Sequence, residues 1–319
     1  MTYEHDLSII VVAWNVRDLV DECLSHVRAA DDDLRKQILF VDNGSTDGTV
    51  ELVKEKYPEV TLIPSDTNLG FIRANNLAYP RATGRYVLML NSDAFVGPQT
   101  FEKTVRFMDE HPQYGVLGCR LTDCNGSPQP SARNFPTPWR LFVTSMSLNS
   151  YFPLLRGLDD LDQDLDAVIE CDWVQGCYLL ARKEALDELG WFLTDDYFMY
   201  NDDNDLCLRL QRRGWKTVCF PEKVVHIGGG NADQLGGLTK GGKQVDSLAV
   251  ESTYLYFRKN YGLHRVASQY FWRLMYRFAR IAKRITRVSD AVVISEELRA
   301  ATRETRILVG TRFGSNSIS

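Results

Sequence analysis

Asn91-Ser92-Asp93 follows a short apolar run, 86–90, and presents one carboxylate at the end of a buried segment. Such a carboxylate can hold a divalent cation that also grips phosphate oxygens, because Mg2+ and Mn2+ favour one or two carboxylates plus phosphate over a full protein cage. The same tripeptide also makes a good turn. Asp202-Asp203-Asn204-Asp205 crowds three carboxylates into the first turn of a helix. One acid suffices to cap a helix and meet its dipole. Three repel, raising the pKa of at least one unless a cation or a proton relieves them. A shielded Asp of that kind is a candidate general base for an alcohol. Asp205 faces another side of the turn, placed to cap it or to pair with Arg209 four residues on. His226 precedes Gly228-Gly229-Gly230 and a glycine-rich stretch carrying Lys240 and Lys243. Two readings fit it, a metal or phosphate ligand and a satisfied structural histidine; the glycines would let backbone N–H groups approach phosphate.

Positioning these groups requires a frame, and the hydrophobic pattern supplies one. Residues 7–13 form an apolar, β-branched run without alternation, as in a strand buried on both faces. Val16, Leu19, Val20, Cys23, Leu24 and Val27 recur at helical spacing. Residues 38–41 read as a second strand, closed by the turn-forming cluster Asp42-Asn-Gly-Ser-Thr-Asp-Gly48. A helix to about Lys56, strands at 61–63 and 86–90, a helix from Pro98 to about His111 and a strand at 116–119 follow. Residues 123–166 read as loops and short helices. Residues 172–181 read as one strand, 183–189 as a helix, 203–213 as an amphipathic helix, and 217–220 as a strand broken by Pro221. This alternation predicts an α/β fold, a doubly wound, mostly parallel sheet, with ligands outside the carboxyl ends of the strands. The clusters around Asn15, Asp42 and Asp93 all fall at those ends. Asp42 sits where dinucleotide folds keep a ribose-binding acid, yet Ala13-Trp14-Asn15 replaces their glycine-rich turn, which excludes a nicotinamide-dependent dehydrogenase.

Composition is that of an ordinary globular protein: 319 residues, 44% hydrophobic and 25% charged, with formal net charge −5. Seven cysteines, in spacings that match no metal motif, read as reduced thiols rather than a disulfide framework. The start of the chain lacks a basic region and cleavage pattern, and no run is long and apolar enough to span a bilayer. A cytoplasmic protein is expected, peripheral at most on the inner face of the membrane.

Taken in order, the motifs resemble the family 2 glycosyltransferases, and among them the rhamnosyltransferase-like group. The matching elements begin with Ile9-Ile-Val-Val-Ala-Trp-Asn15, Val41-Asp-Asn-Gly-Ser-Thr-Asp-Gly48, Asn68-Leu-Gly-Phe71 with Asn75-Asn76, and Asn91-Ser-Asp93. Gln129-Pro-Ser-Ala-Arg133, Asp172-Trp-Val-Gln-Gly176, Tyr200-Asn-Asp-Asp-Asn-Asp-Leu-Cys207 and His226 with its glycines complete the series. The resemblance implies a GT-A type fold and an inverting transfer from a dTDP- or UDP-sugar, rhamnose among the candidates, to a saccharide or lipid-linked hydroxyl in cell-surface glycan assembly. It implies that Ala13, Asn15, Asp42, Asn68, Asn75 and Ser92 bind the donor, Asp42 taking the pyrimidine base. Asp93 with His226 would hold Mg2+ or Mn2+ on the diphosphate. Asp203 would be the base, and Trp173 and Gly176 would line the acceptor pocket. Three departures stand out: Asp202 replaces a usual Glu, Asn204 a usual apolar residue, and Asn91 and Ser92 replace acids. They leave open which of Asp202 and Asp203 takes the proton. Two other readings are a sugar-phosphate nucleotidylyltransferase, which needs a basic glycine-rich loop after the first strand, and a non-catalytic sugar- or lipid-binding relative, which would lack these acids.

The expected division is a catalytic domain over 1–230, a glycine-rich flexible loop over 231–250 and a basic amphipathic helical tail over 251–319. Nine Lys/Arg and no Asp/Glu lie between Ser252 and Val288. Phe271, Leu274, Met275, Phe278, Ile281, Ala282 and Ile285 fall on one helical face, and Arg273, Arg277, Arg280, Arg284 and Arg287 on another. Two readings fit: a helix on an anionic membrane surface, and a helix whose arginines pair with the acidic catalytic domain. Nucleic acid is not an expected partner, since no reading module accompanies the charge. Residues after about Arg299 are expected to form a loosely ordered end.

Overall fold

The computed structural model describes residues 3–152, 154–155, 157–159, 166–190, 193–194, 196–228, 243–285 and 291–318. Gly229, Gly230 and Lys240 of the glycine-rich stretch lie outside the described residues, as do Arg287 and the side chains of Lys243, Arg284 and Ile285. The chain divides into two compact units. One comprises Met1–Arg133, Asp160–Asp195 and Asp202–Leu238, the other Asn134–Asp159, Asp196–Asn201 and Thr239–Ser319. Residues 134–159 and 196–201 thus group with the C-terminal helices.

The first unit opens with β1 (His5–Ala13), α1 (Arg17–Ala29), β2 (Lys36–Asp42), α2 (Thr49–Lys56), β3 (Thr61–Pro64), α3 (Phe71–Ala78) and β4 (Gly84–Asn91). Helix α3 is two turns long and buries Asn75 beside Ile72 and Ala74, so no apolar stripe announces it. Next come β5 (Ala94–Val96), α4 (Thr100–Glu110), β6 (Tyr114–Thr122), β7 (Pro128–Gln129) and β8 (Ala132–Arg133). Short helices α5 (Pro138–Ser145) and α6 (Leu148–Tyr151) belong to the second unit. The chain returns to the first with β9 (Ile169–Cys171), β10 (Trp173–Val174), β11 (Tyr178–Arg182), α7 (Lys183–Leu189), α8 (Asp202–Gln211) and β12 (Lys216–His226).

The main sheet runs β3-β2-β1-β4-β11-β6-β12-β5. Strand β1 is parallel to β2 and β4, β2 to β3, and β6 to β12, while β11 enters antiparallel between β4 and β6. It is the doubly wound, mostly parallel frame of the expected α/β class. Leu7, Ile9 and Val11 of β1 are fully buried against Val20, Cys23, Leu24 and Val27 of α1, which places the core under the first crossover. Register opposes Ala13 to Asp42 and Val12 to Asn91, so the polar segments after β1, β2 and β4 share one edge.

Two strand assignments change. Residues 172–181 form β10 and β11 with a turn at 175–177 between them, and β10 pairs with β8 in a separate two-stranded sheet. Gln175 and Gly176 interrupt the apolar residues and turn the chain so that β11 can run against β4. Pro221 does not end its strand: β12 continues to His226, with a register shift between Phe220 and Lys223. A bulge is where a strand tolerates proline, since the missing N–H leaves no ladder bond unmade.

In the second unit, α9 (Lys243–Tyr261), α10 (Leu263–Ile285) and α11 (Ala291–Gly310) accompany α5 and α6. Helix α9 already covers 243–250, part of the segment expected as a loop. Helix α11 replaces the loosely ordered end expected after Arg299. Its Glu304 and Glu297 take the α10 arginines: Arg273 reaches Glu304 at 2.5 Å, Arg277 binds both acids, and Arg280 reaches Glu297 at 2.9 Å. The arginine face therefore meets acids of the tail's own last helix, a partner that charge counting could not see. Phe271, Met275 and Phe278, spaced four and three apart, are exposed.

Candidate active site

At the carboxyl edge of β1 and β2, side chains knit three loops together. Asn15, at φ 53°, receives the Ser45 hydroxyl oxygen on its N–H at 3.0 Å and accepts from Thr46 N at 2.8 Å. Asn43 donates to Asn68 Oδ1 at 2.9 Å and accepts from Leu69 N at 2.8 Å. Gly44 passes Thr67 so closely that a Cβ would lie 2.9 Å from a backbone carbon, and its φ of 82° disfavours any other residue. Within this frame Asp42 is 2% exposed. Its Oδ2 accepts from Gly44 N and Ser45 N at 3.2 and 3.1 Å. Its Oδ1 has no hydrogen-bond partner among the described residues. A buried carboxylate oxygen in that state is a strong acceptor for an N–H. Ala13, opposite Asp42, contributes its carbonyl to Asn43 N at 2.9 Å. Asn75 lies deeper, 1% exposed, donating to Phe71 O at 2.9 Å within α3.

Past β4, Ser92 and Asp93 are both buried, and the pairing of β12 with β5 brings His226 opposite Ala94. His226 Nε2 lies 3.6 Å from Asp93 Oδ1, and Ile227 N donates to Asp93 O at 3.1 Å. On its other side, His226 Nδ1 meets Gln129 Oε1 at 2.9 Å, while Gln129 Nε2 donates to His226 O at 2.8 Å. An acceptor at Nδ1 holds the proton there and turns the lone pair of Nε2 toward Asp93. The result is one nitrogen and one carboxylate oxygen side by side, a donor set that fits a divalent cation. Among the described residues no group of three His, Cys, Asp or Glu forms a fuller cage.

The third component is the start of α8. Asp202 is 6% exposed and Asp203 is half-buried. Asp203 Oδ2 accepts from Gly176 N at 3.2 Å and Oδ1 from Asn204 N at 2.8 Å. Burial raises both carboxyls above the usual range. For Asp202 the neighbouring Asp203 charge adds to burial; for Asp203 the N–H donors and the Arg133 charge oppose it. Charge on either carboxyl disfavours charge on the other, so the pair holds a proton to higher pH than a lone carboxyl would. Asp205 pairs with Arg209 at 2.9 Å, as its spacing predicts. Trp173 and Arg133 are cross-strand partners, with the guanidinium 4.7 Å from the ring centroid.

The turn at 175–177 joins the last two components. Gly176 N binds Asp203, and Cys177 O accepts from Asn91 N at 3.0 Å. The Cys177 thiol is pushed up chiefly by burial, with both Asp93 and Asp203 charges adding to it. Sequence reasoning gave no role to Gln129, Arg133 or Asn43. Gln129 and Arg133 stand in a motif the resemblance already picks out, and Asn43 follows Asp42. The pairing of β6 with both β7 and β12 brings Gln129 to His226, that of β10 with β8 brings Arg133 to Trp173, and the loop after β3 brings Asn68 to Asn43.

Comparison with known proteins bears on the fold and the family. Among solved structures, a Pyrobaculum calidifontis mannosyltransferase, PcManGT, in complex with GDP-Man and Mn2+ superposes with TM-score 0.52 at 16% identity, over 98% of this chain and 88% of that one. S. aureus TarS 1-349 gives TM-score 0.53 at 15% identity, over 95% and 80%. The fold is thus the GT-A fold. The Mycobacterium tuberculosis N-acetylglucosaminyl-diphospho-decaprenol L-rhamnosyltransferase is 32% identical over 203 residues, which are 59% of this chain and 66% of that relative, short of its full length. Residues 8–159 match Glycosyl transferase family 2, and it is to this family that the matched segment belongs.

Proposed function

We propose that the chain transfers a sugar from a pyrimidine nucleoside-diphosphate donor to a hydroxyl of a saccharide or lipid-linked acceptor, with inversion at the anomeric carbon, in assembly of a cell-surface glycan. The observation that supports this reading is the 175–177 turn, which binds Asp203 at Gly176 and the strand end before Asp93 at Cys177. The nucleotide base lies on Asp42, whose open Oδ1 suits the imide N–H that uracil and thymine share. Asp93 and His226 hold Mg2+ or Mn2+, and a nitrogen–carboxylate pair suits Mn2+ in particular. When bound, the cation offsets charge gathering on the diphosphate. Asp203 Oδ accepts the acceptor's proton as its oxygen bonds to the anomeric carbon. The sugar–diphosphate bond breaks with its electron pair leaving on the nucleoside diphosphate. Asp202, still protonated, adds no second charge beside the base. Trp173, itself buried under the Arg133 guanidinium, shapes the acceptor side by holding that arginine. The name of the M. tuberculosis relative supports rhamnose as the sugar.

Cytosine lacks the imide N–H. UDP and dTDP are therefore expected to bind at least about tenfold, or 1.4 kcal/mol, more tightly than CDP, and Asp42→Ala to level the three in calorimetric titration. Equal binding of CDP to the unaltered chain would remove Asp42 from base recognition.

A lipid-linked acceptor would bring the chain to a membrane surface, and the exposed Phe271, Met275 and Phe278 stripe of α10 supports that. Among the described residues no helix is long and apolar enough to cross a bilayer. Vesicles containing anionic lipid should sediment the intact chain but release a Phe271→Ser/Phe278→Ser variant. Equal sedimentation of both would place the contact elsewhere.

A further inference from the structure

The second unit contains a cavity of about 410 Å³ between α5, α9, α10 and α11. Its wall combines three kinds of group. Phe142, Trp272 and Tyr276 supply aromatic faces, with Phe142 and Trp272 centroids 4.7 Å apart. Arg273, Arg277, Arg280 and Arg303 supply positive charge, and among the described residues Glu304 is the only acid on the wall. Even with Glu297 counted against Arg277 and Arg280, the cations outnumber the acids by two.

Hydrogen bonding at the wall is left incomplete in a specific way. Gln269 is 2% exposed and Glu304 1%, yet Gln269 Oε1 and Glu304 Oε2 have no partner among the described residues. Neither have Arg273 Nε and Arg277 Nε. Two buried acceptors and two buried donors are thus unanswered around one cavity, and a buried polar group left unpaired is costly. An apolar occupant would answer none of them and a simple anion only the donors. A sugar hydroxyl donates and accepts at once, and the C–H face of a pyranose suits an aromatic wall. The surplus of guanidinium adds a preference for negative charge, in the forked geometry that suits carboxylate and phosphate.

We propose that this cavity binds a saccharide carrying a carboxylate or phosphate group. Trp272 and Tyr276 take the ring, Gln269 and Glu304 accept from its hydroxyls, and Arg303 with the free edges of Arg273 and Arg277 takes the charge. The site lies wholly within the second unit and goes beyond the transfer reading, being neither a donor nor a metal site.

The test is titration of the full chain by calorimetry with glucuronate, glucose 1-phosphate, glucose and inorganic phosphate, in the Asp203→Asn background so that no turnover intervenes. At least one anionic sugar is expected to bind tenfold or more tightly than both glucose and inorganic phosphate. If glucuronate prevails the natural ligand is an acidic glycan, and if glucose 1-phosphate prevails a phosphorylated one. Arg303 is half-buried and outside the glutamate network, so Arg303→Gln should keep the fold, checked by circular dichroism, and weaken the anionic sugar about tenfold. Gln269→Leu should weaken sugars while leaving inorganic phosphate unchanged. Inorganic phosphate binding as well as glucose 1-phosphate would reduce the cavity to an anion site and overturn the proposal. So would no binding by either anionic sugar, or binding that neither variant alters. Retained binding in an Asp93→Ala chain separates this site from the donor site, whatever becomes of the transfer reading.

Discussion

Asp203→Asn is expected to lower kcat by about 10³-fold, with donor affinity nearly unchanged, while Asp202→Asn retains most of the rate. The two residues are adjacent and chemically identical, so the difference must come from their surroundings. Asp203 is half-buried, receives N–H groups from Gly176 and Asn204, and feels the Arg133 charge. These interactions favour its ionised form against the burial that raises it. Asp202 is buried more fully and faces the charges of Asp203 and Asp205, opposed only by its own backbone N–H. On the proposed reading Asp203 serves as the base near neutrality, and Asp202 is a neutral acid that an asparagine amide imitates. The pH profile carries the same sign. Because burial raises the Asp203 carboxyl, activity should rise with pH through a limb displaced upward from the ordinary carboxylate range. Asp202→Asn should keep that limb and lose the second inflection on the alkaline side, where Asp202 ionises. A dead Asp202→Asn beside an active Asp203→Asn would reverse the assignment.

The second large effect concerns Asp93. With Mn2+ present, Asp93→Ala should weaken donor binding by at least about tenfold, or 1.4 kcal/mol, to the level of the unaltered chain in EDTA. With only His226 beside it, no other described carboxylate can replace it. Gln129→Leu should act through His226. Losing the acceptor at Nδ1 frees the imidazole to change tautomer and orientation, and comparable second contacts around metals are worth roughly 10–100-fold in affinity. The loss should therefore appear in the Mn2+ concentration needed for half-maximal donor binding, with kcat at saturating Mn2+ largely preserved. A Gln129→Leu chain with unchanged Mn2+ dependence would show that the histidine needs no such support.

Much of the first unit could be read from residue pattern alone. Strands β1, β2 and β4 are buried on both faces and so carry uninterrupted apolar runs, and α1 carries its stripe of Val20, Cys23, Leu24 and Val27. Pairing between Asp205 and Arg209 needed only a four-residue spacing. What escaped was set by tertiary contacts. The segment at 172–181 hides a turn whose purpose is to bring Gly176 to Asp203 and Cys177 to Asn91. Proline at 221 stops a strand in isolation but not at a bulge beside β6. The role of Gln129 depends on His226, 97 positions later, and the arginine stripe of α10 depends on Glu297 and Glu304 beyond the expected end of order. Local patterns name the elements, whereas these partners are chosen by the packed chain.

The central claim is that the Asp93–His226 and Asp202–Asp203 pairs serve one transfer reaction. Its most direct test is nucleoside-diphosphate release from a panel of dTDP- and UDP-sugars, measured with Mn2+ or EDTA on the unaltered chain, Asp93→Ala and Asp203→Asn. One donor should be consumed in Mn2+. EDTA and Asp93→Ala should abolish both its binding and its turnover, and Asp203→Asn its turnover alone. Donor binding indifferent to Mn2+ and to Asp93, or turnover indifferent to Asp203, would contradict the account.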